Sequence, residues 1–165
     1  MIENCINIVM RVLKSAKNIE KCAKESFVVI GKEGSTRDRE GFIGRLWKDA
    51  NGHFSEVATL AKKDEHGNLL GIWGAMSDFS RSFCPWEDNF SQGLYLAGVE
   101  CEDTAEAPEG WTKWTIPGYE YIYVECEGDD TFPKTLDYLA ELLPEGTPIV
   151  RVMPNINAKI GASTN

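Results

Sequence analysis

Apolar residues at Ile2, Ile6, Val9, Leu13, Ala16, Ile19 and Ala23 step by three or four, which predicts an amphipathic helix from Glu3 to Glu25. Lys14, Lys17, Lys21 and Lys24 share its opposite side and read as the solvated face of a packing helix. A lone helix with no helix-turn-helix partner does not read DNA in the usual way, so direct nucleic-acid binding is not expected. Phe27-Val-Val-Ile30 is a short β-rich run ended by Gly31, and Lys32 to Arg37 is a polar turn. From Asp38 to Lys63 the positions Phe42, Leu46, Ala50, Phe54, Val57 and Ala61 again step by three or four. That predicts a long helix, bent or interrupted at Asn51-Gly52.

Asp64 to Asn68 is a turn, and Leu69 to Met76 is a strand that carries Trp73. Ser77 to Gly93 is a polar-aromatic loop with Phe79, Phe83, Trp86 and Phe90, either a satellite hydrophobic cluster or a lid. Strands follow at Leu94 to Glu102, Trp111 to Ile116 and Tyr119 to Glu125, the last two joined at Pro117-Gly118. Thr131 to Leu143 is a helix with Phe132, Leu136, Leu139 and Leu142 as its inner stripe. Strand–helix–strand–strand occurs once and begins again at Tyr119. The expected fold is a pseudo-duplicated α+β domain, an antiparallel sheet with helices on one face.

Composition narrows the function. The chain has 165 residues, enough for one well-buried domain, and its net charge of −9 argues against a general phosphate-backbone binder. No apolar run approaches the length of a membrane span, and the N-terminus lacks a secretory pattern, so a cytoplasmic protein with no membrane association is expected. Cys5, Cys22, Cys84, Cys101 and Cys126 are scattered, and His53 and His66 have no metal-ligand spacing with them. Reduced thiols and neither metal nor cofactor are expected.

The candidate chemistry centres on Glu100. It lies in an otherwise apolar strand, Leu94-Tyr-Leu-Ala-Gly-Val-Glu-Cys-Glu102, and an unpaired buried carboxylate is costly. Alternation puts Leu94, Leu96, Gly98, Glu100 and Glu102 on one face and Tyr95, Ala97, Val99 and Cys101 on the other. Glu100 is then on a solvated face, paired with an arginine such as Arg45, or set in a cleft where Gly98 leaves room for a ligand. Tyr119, Tyr121 and Tyr123 alternate along a later strand, and Trp47, Trp73 and Tyr95 are further aromatic candidates. Each is sheet packing or part of an aromatic cage around a cation. No Ser-His-Asp set, thiol–histidine pair or acid–base pair is visible, so no catalytic residue is assigned.

Six landmarks, in order, resemble the GyrI-like effector-binding domain found alone and fused to AraC-type and MerR-type transcription regulators. They are Phe27 to Glu33, Leu46-Trp47, Gly71-Ile-Trp-Gly74, Gly98-Val-Glu-Cys101, Ala107-Pro-Glu-Gly-Trp111 and Ile116-Pro-Gly-Tyr-Glu-Tyr121. The resemblance implies a duplicated fold whose central cleft binds small cationic or aromatic molecules, with Glu100 facing the cleft and Tyr121 beside it. It also implies two alternatives, a small hydrolase of reactive or strained molecules, and an inhibitor that acts on a protein partner such as a topoisomerase. The expected division is an N-terminal helix over 1–26, the effector-binding domain over 27–146 and an atypical tail over 147–165. Within that tail, Arg151-Val-Met-Pro-Asn155 is similar to a segment of pyrroline-5-carboxylate reductase. No Gly-rich dinucleotide unit precedes it. Ile149 to Val152 is expected at most to fill a sheet edge.

Overall fold

The computed structural model describes residues 6–12, 19–126 and 149–154, with side chains placed over 23–88 and 91–121. Its strands are β1 (Ile6–Val12), β2 (Ile19–Lys24), β3 (Phe27–Ser35), β4 (Ile72–Ser77), β5 (Leu94–Cys101), β6 (Thr112–Ile116), β7 (Tyr119–Cys126) and β8 (Ile149–Pro154). The helices are α1 (Phe42–Gly52) and the single turn α2 (Glu87–Phe90). Among the described residues the strands join one eight-stranded sheet in the order β2-β7-β1-β8-β4-β5-β3-β6. The fold is α+β, and its sheet is antiparallel except where β1 runs parallel to β7 and β8.

The strand–helix–strand–strand unit is present as β3, α1, β4 and β5. Helix α1 is shorter than the periodicity over Asp38 to Lys63 predicts. It begins after Gly41, whose left-handed φ of 72° suits a glycine, and it ends at Asn51-Gly52 as expected. A 3-10 turn at Phe54–Glu56 follows, and Val57 and Ala61 are buried from non-helical backbone. Ala61 then forms a bridge to Cys101. Helical spacing continued past Gly52 because the chain there still packs on the same face of the sheet.

Two expectations are corrected. The N-terminal segment is strand, not helix, over Ile6–Val12 and Ile19–Lys24. Its apolar steps fit a helix, but Ile6, Ile8, Met10 and Val12 also alternate, and β1 gains backbone partners on both sides, β7 and β8. Ladder pairing of that kind overrides a weak periodicity. Likewise β8 fills no edge; it lies between β1 and β4, at the centre of the strand order. The helix expected over Thr131 to Leu143 lies outside the described residues.

The strand order places β4-β5-β3-β6 on one side and β8-β1-β7-β2 on the other, with β5 antiparallel to both its neighbours and β1 parallel to both of its own. Pro117-Gly118 carries the chain from β6 to β7 without pairing them, and Glu25-Ser26 carries it from β2 to β3. These short links hold the two ends of the order close together. A Cβ on Gly118 would stand 3.0 Å from the Ser26 amide nitrogen.

Candidate cation-binding cleft

β5 is buried along its whole length and serves two cores. On one face Val99 and Cys101 pack with Val28, Ile30, Ala50, Val57 and Trp111 beneath α1. On the other, Leu94 and Leu96 pack with Phe27, Val29, Trp73, Trp114, Ile116 and Tyr121, and Tyr119 closes against that cluster. Glu100 alternates with Val99 and Cys101 and so belongs to this second face. It is 6% exposed.

The carboxylate is neither solvated nor paired with Arg45, which instead donates to the carbonyls of Arg39 and Glu40. Three donors surround it. Trp73 Nε1 donates to Oε2 at 3.1 Å, Lys24 Nζ stands 3.3 Å from Oε1, and Lys62 Nζ stands 3.8 Å from Oε1. Backbone bonds fix its place: the Glu100 amide donates to the Gly71 carbonyl at 2.9 Å, and the Glu100 carbonyl accepts from the Lys62 amide at 2.8 Å. A buried carboxylate held this way meets its desolvation cost through charge-assisted hydrogen bonds.

The walls are aromatic. Phe27 and Trp73 pack with ring centres 5.0 Å apart, and Lys24 Nζ lies 4.4 Å from the Phe27 centre and 5.8 Å from that of Trp73. Tyr119 and Tyr121 meet edge to face at 6.2 Å, and the Tyr121 hydroxyl donates to the Pro117 carbonyl at 3.3 Å. Beside them an open groove of about 570 Å³ is lined by Ala23, Lys24, Glu25, Gly118, Tyr119 and Glu120. Tyr123 lies on β7, but its side chain is outside the described ones.

Trp47 and Tyr95 are not beside Glu100. Tyr95 alternates onto the α1 face, where the Trp47 indole donates to its hydroxyl at 3.1 Å. Burial pushes the Tyr95 hydroxyl up to about 12, against the smaller opposing pull of that bond. Gly74 makes room for it, because a Cβ there would overlap the phenol. Aromatic type alone could not separate these two from Trp73; Trp47 differs by lying on α1, and Tyr95 by its alternation with Glu100 along β5.

Gly98 has a structural reason of its own. A Cβ on it would overlap the Ile30 carbonyl and the Gly31 backbone, so the glycine permits close strand approach. Sequence reasoning missed Lys24, Phe27, Lys62 and Gly71. Lys24 was assigned to a solvated helix face, and nothing local ties Lys62 to Glu100. Gly71 is needed because a Cβ there would overlap Trp73 Nε1 and stand 3.0 Å from Glu100 Oε2. The Gly71-Ile-Trp73 spacing carried that signal.

Among the described residues no group of histidine, cysteine and carboxylate side chains could hold a metal ion. No helix among them is long and apolar enough to cross a membrane.

With the cleft described, the chain can be set beside known proteins. The family model Cass2, described as an integron-associated effector binding protein, matches residues 18–153. Among curated proteins nothing matches. The structure of SAV2435 bound to tetraphenylphosphonium is similar in fold, with a TM-score of 0.52 at 14% identity over 76% of this chain and 72% of that one. An integron cassette protein, VCH_CASS2, from the mobile metagenome of Vibrio cholerae aligns at 17% identity and a TM-score of 0.47, covering 76% of this chain and 80% of that one. The expected effector-binding kinship therefore stands. The likeness of the tail to pyrroline-5-carboxylate reductase finds no support, because the family match runs on through Met153.

Proposed function

The chain belongs to the integron-associated effector binding protein family, and from that premise we propose that it is a sensor of small lipophilic cations. The ligand is an aromatic or amphipathic molecule held in the cleft over Glu100. One observation carries this reading: a cation already occupies the site. The Lys24 ammonium is ion-paired to Glu100 and stacked on Phe27, an arrangement that supports the reading of this carboxylate and ring as partners for positive charge. The tetraphenylphosphonium bound to the similarly folded SAV2435 is a ligand of the same chemistry, which supports the choice of class.

Each residue then has a role. Glu100 supplies the counter-charge, and its Trp73 bond orients the carboxylate. Phe27, Trp73, Tyr119 and Tyr121 supply aromatic surface, each cation–π contact contributing about 0.5–2 kcal/mol according to its desolvation. Trp47 and Tyr95, on the other side of the sheet, take no part.

The test is titration with tetraphenylphosphonium, read by tryptophan fluorescence and calorimetry. Glu100→Gln should weaken binding by at least about tenfold, the loss of one partly buried charge contact. The neutral isostere tetraphenylsilane should bind both proteins alike. Equal affinity of the cation for wild type and Glu100→Gln would show that the acid plays no part.

A further inference from the structure

Lys24 is the group that the cation-site reading leaves unexplained. β2, at one end of the strand order, brings it to Glu100 on β5. Its ammonium makes the contacts that the reading assigns to the ligand: 3.3 Å to Glu100 Oε1, 4.4 Å to the Phe27 ring and 5.8 Å to the Trp73 ring. Like charges in one partly desolvated site repel, so a second cation and the lysine cannot both hold that position.

We propose that Lys24 is a tethered internal occupant of the cation site, which a ligand must displace, and that it thereby restricts the site to bulky aromatic cations. This rests on the cleft being a cation site. Three observations support it. Lys62 divides its charge between Glu100 at 3.8 Å and Asp103 at 3.5 Å, so Lys24 makes the shorter contact with Glu100. The Lys24 side chain is 34% exposed, not locked in the core. It also borders an open groove whose lining includes two further acids, Glu25 and Glu120.

The selectivity follows from the tether. A bound lysine competes at the high effective concentration of an intramolecular group. A small ammonium ion offers Glu100 and Phe27 nothing that Lys24 does not already provide, so it cannot compete. A multi-ring cation gains added stacking on Trp73, Tyr119 and Tyr121, and that surplus displaces the lysine. Lys24 is on this account a specificity-determining residue, acting against small cations.

Binding of tetraphenylphosphonium and of tetramethylammonium to wild type and Lys24→Met tests the idea. The variant should bind tetraphenylphosphonium about tenfold more tightly, because an ion-pair and cation–π competitor is gone. It should also bind tetramethylammonium, which wild type should bind at least about tenfold more weakly. In wild type, acetic anhydride should label Lys24 faster when tetraphenylphosphonium is present, as read by mass spectrometry. This second measurement does not depend on the variant folding. If Lys24→Met binds no more tightly, or if the ligand protects Lys24 from labelling, the lysine is not displaced and the inference fails alone. If neither protein binds the cation, the cation-site reading fails and takes this inference with it.

Discussion

Gly71 shows how narrowly the site is set at the scale of single residues. The Trp73 indole reaches Glu100 only because position 71 has no side chain. Gly71→Ala should force the indole aside and leave the buried carboxylate short of a donor. The expected cost is roughly 1–3 kcal/mol of stability, together with weaker tetraphenylphosphonium binding. Chemical denaturation and ligand titration of the variant check both. Glu100 itself was legible in the sequence, since an acid in an apolar strand needs a partner or a ligand. Its actual partners were not, because Lys24 and Lys62 come from segments 76 and 38 positions away and only folding brings them together.

At the scale of elements, parity along β5 and β4 separates Glu100 from the α1 core; the alternation along β5 was readable, and the register of β4 against it came from the structure. Trp73 and Glu100 share one face, while Tyr95 turns to the other with Trp47. The loop between β4 and β5 required the structure. It is pinned, not hinged: Phe83 is buried edge to face on Trp114 at 5.8 Å, and the Trp86 indole donates to the Leu94 carbonyl at 2.8 Å. Arg81 forks onto Glu33, which also accepts from the Trp114 indole at 2.6 Å. Phe83, with Phe79 against it, thus joins the main apolar cluster of Trp73, Leu96 and Trp114, and is neither a separate satellite nor a free lid.

Asp78 anchors the start of that loop and gives it a pH signature. Burial works to raise its carboxyl, but hydroxyls of Ser80, Ser82 and Ser77 and the Cys84 amide outweigh it and bring it from the ordinary 3.8 down to about 2. The folded value lies below the unfolded one. The stabilisation is therefore complete above about pH 4 and is lost as pH falls through about 2. It amounts to roughly 2 kcal/mol at neutral pH. Urea denaturation should find Asp78→Asn less stable by about that amount at pH 7, with the gap to wild type closing towards pH 2.

At the scale of the whole molecule, the central strand comes from the end of the chain. β8 pairs with β1 through Val9↔Val152 and with β4 through Ala75↔Val152, so it joins the two halves of the sheet. Val152→Pro should remove a backbone donor at that junction and destabilise the fold by about 3 kcal/mol or more. Thermal unfolding followed by circular dichroism should show an early or broadened transition. An appended, unrelated tail would tolerate the change with no shift. The division at 26 and 146 has the same dependence: β2, β1 and β8 all belong to the one sheet that holds the cleft.

By itself the sequence determined the features written locally. Alternation defined β5 and its two faces, Asn51-Gly52 interrupted the helical pattern where α1 ends, the α+β class followed from the order of elements, and Glu100 stood out as an acid in an apolar strand. Tertiary structure decided what depends on distant backbone. Helical spacing in the N-terminal segment yielded to strand pairing with β7 and β8, because long-range pairing of this kind overrides a weak local pattern. That same pairing carried Lys24 from an expected solvated surface onto Glu100, since a charge contact depends on distance in space and leaves no periodic trace along the chain.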